Sequence, residues 1–64
     1  MPTFRSSAVK RGEYDPRSLR MDLWLAGGGR YSYCGVPPHI WEGLCDAPSK
    51  GRYFNLHIDG RFQC

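Results

Sequence analysis

Five side chains in this chain of 64 residues are cysteine or histidine, which can ligate metals or take part in attack on carbonyls: Cys34, Cys45, Cys64, His39 and His57. None of them forms a Cys-x-x-Cys or His-x-x-x-His pair. Structural zinc sites draw two ligands from one turn and therefore show such close spacing. The set reads better as small apolar cysteines and two separate histidines, with no metal and no cofactor. Cys34 or Cys45 beside His57 would be the start of a nucleophilic site. However, no third group orients the histidine and no oxyanion motif follows. The carboxylates are scattered, and Gly27-Gly28-Gly29 has neither GxGxxG nor GxxxxGK[ST] spacing. No residue is assigned a catalytic role, and no small-molecule substrate is indicated.

A second chemistry is better represented. The stretch SKGRYFNLHIDGRF, residues 49–62, places Lys50, Arg52 and Arg61 among Tyr53, Phe54 and Phe62. Cations interleaved with rings suit a nucleic-acid surface, because cations hold backbone phosphates and rings offer stacking faces. The alternative is a solvated helix face whose Tyr53, Phe54 and Ile58 pack inward. Arg30, Tyr31 and Tyr33 form a second basic-aromatic group after the glycine run.

These residues need elements to hold them. Residues 1–6 read as a flexible leader and 7–64 as one domain. Residues 8–14 alternate weakly, as a strand with Lys10 and Arg11 on opposite sides. Asp15-Pro16-Arg17-Ser18 is a turn. In LRMDLWL, residues 19–25, the period is two: Leu19, Met21, Leu23 and Leu25 share one face, and Arg20, Asp22 and Trp24 share the other. The glycines reverse the chain into a third strand over 30–35. Pro37-Pro38 opens a helix of about ten residues with Ile40, Trp41, Leu44 and Cys45 on one stripe. Ala47-Pro48 stops it, and Ser49 caps a second short helix carrying Tyr53, Phe54, His57 and Ile58. Gly60 ends that helix, and 61–63 add a short terminal strand. The fold class is α+β: a three-stranded antiparallel meander followed by two short helices.

Loop length decides the tyrosine pair. A two-residue loop puts Tyr31 and Tyr33 on the face of Trp24, as an aromatic platform worth about 1–3 kcal/mol per stacked base. A three-residue loop puts both with Leu23 and Leu25 in the core, hydroxyls toward the rim. Three consecutive glycines fit the longer loop better. Trp24 then stays outside with Arg20, either as a contact for a partner or as cover for a neighbouring segment.

Composition bounds these readings. Nine Lys+Arg against 6 Asp+Glu give +3, which permits a polyanion without requiring one. A domain this small buries only about 60% of its unfolded surface, so its aromatics must supply much of the core. The first residues, MPTFRSSAVKR, lack the apolar run of a signal peptide, and nothing approaches a membrane span. Three cysteines cannot all pair in one monomer and are not spaced as a secreted framework, which points to a reducing cytoplasm. Cys64, the last residue, is expected to be mobile.

Several short segments recur in a fixed order: SS at 6–7, YDP at 14–16, GG-x-Y-x-Y at 28–33, VPP at 36–38, SKGRYFN at 49–55 and HI at 57–58. In their order and spacing they resemble the KTSC domain, over about residues 6–63. That family is named for its occurrence at the C-terminus of some lysyl-tRNA synthetases and also occurs as stand-alone proteins. It centres on a Y-x-Y motif, matched by Tyr31 and Tyr33, and the resemblance implies RNA as a partner. Members tend to be polar or acidic where Trp24 stands, and to carry Lys or Arg around positions 56 and 59, where Leu56 and Asp59 stand here. That departure removes two cations and lets Trp24 and Leu56 extend an apolar patch.

The expectation is a non-catalytic binding module for RNA or another nucleic acid, with Arg30, Tyr31, Tyr33, Lys50, Arg52, Tyr53 and Arg61 as its contacts. The alternative is a protein–protein adaptor or inhibitor, of phage or mobile-element type given its size, using Trp24, Arg20 and Leu56.

Overall fold

The computed structural model describes residues 8–64. The expected leader and the double serine at 6–7 lie outside them. Strands β1 (Val9–Asp15), β2 (Arg20–Leu25) and β3 (Arg30–Tyr33) form one antiparallel sheet in the order β1-β2-β3, followed by helices α1 (Pro38–Asp46) and α2 (Lys50–His57). This is the α+β meander with two helices that the sequence predicts.

Leu25 and Gly29 close the β2–β3 hairpin around a three-residue loop, 26–28. The Leu25 N–H donates to the Gly29 carbonyl (3.0 Å), and the Gly28 N–H donates to the Leu25 carbonyl (3.0 Å). Gly28 sits at φ 89°, which a Cβ would disfavour. Tyr31 therefore pairs with Leu23 and Tyr33 with Met21, and both tyrosines face the helices.

The core is Val9, Met21, Leu23, Tyr33, Val36, Leu44 and Ile58. Among the described residues, six of these side chains are fully buried, and each contributes about 1.5–3 kcal/mol relative to exposure, more than a surface ion pair does. Trp41 from α1 stacks on Tyr14 at 5.7 Å, and Phe54 from α2 meets Tyr33 edge-on at 6.1 Å. The Tyr14 hydroxyl donates to the Val36 carbonyl (2.7 Å), which ties β1 to the segment before α1. Pro37 and Ser49 occupy the two helix N-caps, and the Ser49 hydroxyl accepts from the Arg52 N–H (3.3 Å).

Four expectations are corrected. Leu19 does not belong to the strand: it closes the turn at φ 59° and is 36% exposed, so the inward row begins at Met21. Its carbonyl accepts from the Val36 N–H instead (2.8 Å). In β1 the register shifts between Val9 and Arg11, so Val9 pairs with Leu25 but Arg11 with Trp24. This bulge puts Val9 and Gly12, three apart, on the core side, which explains the weak alternation there. Cys64 is anchored, not loose, because it forms a disulfide with Cys34 (Cα–Cα 4.8 Å) and leaves Cys45 as the free thiol. Finally, the terminal strand reduces to a single bridge between Tyr33 and Gln63, beside a Cys34 N–H bond to the Phe62 carbonyl (2.7 Å).

Candidate functional site

Both helices pack on the face of the sheet that carries Gly12, Met21, Leu23 and Tyr33. No described element covers the other face, where the registers place Arg11, Glu13 and Asp15 beside Arg20, Asp22 and Trp24, with Arg30 and Ser32 beyond. The two ends of this open face differ in charge. Toward the β1–β2 turn, Arg20 is held by Asp22 (3.5 Å) and donates to the Ser32 hydroxyl (3.2 Å), which in turn donates to Asp22 (2.5 Å). These groups satisfy one another.

Toward the glycine loop the pattern is aromatic and basic. Trp24 has Arg11 as its partner on β1 and Arg30 as its partner on β3. The Arg11 guanidinium lies 4.0 Å from the centre of the Trp24 ring, a cation–π contact. Arg11 Nε is buried without a hydrogen-bond partner among the described residues. Neither Arg11 nor Arg30 has an ion pair among those residues. A guanidinium oriented by an aromatic ring and unpaired with acid is prepared for an anion.

The other candidates lie elsewhere. Lys50 donates to the carbonyls of Cys45 (2.7 Å) and Ala47 (2.8 Å) and so caps the end of α1. Tyr53 packs against Gly43, donates its hydroxyl to the Ile40 carbonyl (3.1 Å) and meets the His57 ring at a tilt, centroids 4.5 Å apart. Arg52 and Leu56 flank a shallow apolar depression on α2 of about 310 Å³, and Leu56 is 57% exposed. Arg61 is exposed after Gly60. Tyr33 is buried (9% exposed), whereas Tyr31, at the free edge of β3, is 52% exposed. The structure thus brings Arg30 to Trp24 but separates them from Lys50, Arg52, Tyr53 and Arg61. Trp24 and Leu56 lie on opposite sides of the domain and share no apolar patch.

Arg11 is the functional candidate that sequence reasoning missed. Strict alternation from Val9 would turn Arg11 inward, and only the bulge turns it out. The available signal was Gly12 and Tyr14, whose phase with one another disagrees with that of Val9.

Cys45 makes a poor nucleophile. Burial pushes its thiol upward, the nearby Lys50 charge opposes that, and Asp46 and Glu42 reinforce it. Among the described residues no three His, Cys, Asp or Glu side chains gather as metal ligands, and no helix is long and apolar enough to cross a membrane.

The KTSC domain family matches residues 5–62, nearly the whole chain. The chain belongs to the KTSC domain family. A KTSC domain protein of Yersinia pestis, solved by crystallography, superposes with a TM-score of 0.94 at 33% identity, covering 98% of this chain and 89% of that one. A protein of Tsukamurella paurometabola is 36% identical over 98% of this chain and 94% of its own length. The lysine–tRNA ligase of Nostoc punctiforme is 37% identical over 89% of this chain, which corresponds to 10% of the ligase. The KTSC domain is therefore a small module that also occurs within lysine–tRNA ligases, and this chain spans about a tenth of their length.

Proposed function

We propose that this KTSC domain is a non-catalytic RNA-binding module that uses the open face of its sheet. The observation that carries this reading is Trp24, set between Arg11 and Arg30 on a face no described element covers. Sheet-mounted aromatics flanked by cations bind single strands by stacking bases and neutralising phosphates. The net charge of +3 and the relatives that are lysine–tRNA ligases agree with an RNA partner.

The test is a titration with short mixed-sequence single-stranded RNA, followed by tryptophan emission in a Trp41→Phe background so that Trp24 alone reports. Saturable quenching that weakens as salt is added is the expected result. Absence of binding at low salt, or an affinity indifferent to salt, overturns the reading. The adaptor alternative retains one observation, the exposed Leu56 above the α2 depression. Amide shifts clustering there on addition of a protein, with none at Trp24 on addition of RNA, would favour it.

A further inference from the structure

On the helix side, opposite Trp24, the edge of β3 away from β2 borders a groove of about 530 Å³, within the ~300–1,000 Å³ range of ligand sites. Its walls include three aromatic rings, Tyr31, Tyr33 and Phe54, together with Asp59, Gln63 and Cys64. Two features set its chemistry. Tyr31 is half exposed although it stands in the inward-facing row of the sheet, so one ring of the groove is open to solvent. Among the described residues, Asp59 is the only acidic or basic side chain lining it, in a chain whose net charge is positive. Asp59 has no ion pair among the described residues. Its charge is felt at the Tyr33 phenol, which burial, and after it Asp59, push above the ordinary tyrosine range.

Aromatic faces carry partial negative charge, and a carboxylate beside them adds a full one. A phosphate would be repelled here, whereas an alkyl chain ending in a cation would lay its methylenes on the rings and its charge by Asp59. We propose that this groove receives the basic side chain of a protein partner, a lysine or arginine presented by an extended segment. The complementarity of charge selects the occupant, and the volume leaves room for backbone on either side of that residue. This site lies on the opposite side of the sheet from Trp24 and does not depend on the RNA reading. The domain would join a polyanion on one face to a basic segment on the other.

The test uses the oxidised, disulfide-intact domain and capped tripeptides Ala-Lys-Ala and Ala-norleucine-Ala, read by amide and aromatic NMR shifts. The expected result is saturable shifts at Tyr31, Phe54 and Asp59 with the lysine peptide and about tenfold weaker binding of the uncharged analogue. Asp59→Asn and Tyr31→Ala should each weaken the lysine peptide by a similar factor, while Tyr31→Phe, which keeps the ring, should bind as the parent does. Unchanged far-ultraviolet dichroism and amide shift dispersion confirm that the variants are folded. Equal affinity for the norleucine peptide, tighter binding of adenosine monophosphate, or n-butylammonium binding as well as the peptide overturns the proposal. Loss of RNA binding in a Trp24→Ala variant that still takes the peptide separates the two sites.

Discussion

Trp41 occupies the volume that any side chain at position 12 would claim. A Cβ built on Gly12 would lie 2.9 Å from Cζ3 of Trp41 and 3.1 Å from its Cη2. The neighbour is a rigid indole already stacked on Tyr14, so it cannot swing aside as a flexible chain end would. Gly12→Ala is therefore expected to destabilise by about 1–3 kcal/mol, as overpacking does. A urea midpoint unchanged from the parent would show that α1 shifts freely over the sheet.

At the open face, Trp24→Ala is expected to remove about 1–3 kcal/mol of single-strand binding, the stacking of one base. Arg30→Gln and Arg11→Gln should each lower the slope of log K against log salt by about 0.7, one phosphate contact apiece. Lys50→Gln should leave that slope unchanged, because the ammonium is engaged with the α1 carbonyls. A slope that falls for Lys50 and holds for Arg11 would relocate the interface to α2.

Lys50 should show itself in stability instead. Lys50→Met removes a charged donor from two carbonyls at the end of α1, and charge-assisted bonds of this kind contribute about 1.5–3 kcal/mol. The lysine is partly exposed, so the lower end of that range is expected, read as a lower thermal midpoint.

The disulfide closes a loop with a sequence separation of 30. Loop-closure entropy for that length is about 3–4 kcal/mol, an upper figure for the loss in a Cys34→Ser, Cys64→Ser double variant. The thermal midpoint of the oxidised protein should exceed that of the double variant. If the midpoints coincide, the bridge between Tyr33 and Gln63 is sufficient to hold the terminal segment.

Alkaline pH should weaken the fold. Burial raises the phenols of Tyr33 and Tyr53 above the usual value of about 10, and the Asp59 charge adds to the rise at Tyr33. The unfolded chain thus releases these protons first. Their contribution is fully present below about pH 10 and is lost as pH climbs through the raised folded values. Denaturant midpoints measured at about pH 8 and about pH 10.5 should fall with pH, more in the parent than in Tyr33→Phe.

Much of the architecture is legible from local chemistry. Pro37-Pro38 and Ser49 mark helix starts because they satisfy or dispense with N–H groups that lack partners there. Met21, Leu23 and Trp24 declare their faces through a period of two, and the three glycines announce the loop that turns both tyrosines inward. Each of these signals is contained within a few neighbouring residues. Even Tyr31 is half legible: its face follows from the loop, but its exposure follows from standing at a sheet edge.

Other features depend on residues distant in the chain. The bulge that delivers Arg11 to Trp24 arises because Val9 must reach the core while Gly12 admits Trp41, a demand made by a helix some thirty residues away. Cys34 and Cys64 pair only because β3 and the terminal segment are brought alongside one another. Lys50, basic and beside aromatics in sequence, is directed to a helix end by the turn between α1 and α2. Trp24 and Leu56, both apolar oddities on paper, are parted by the full thickness of the sheet and its helices. Period, caps and turns act over one or two turns of chain and are written in residue order. Charge pairing, close approach and shared surfaces act through space, and only the packed fold assigns them.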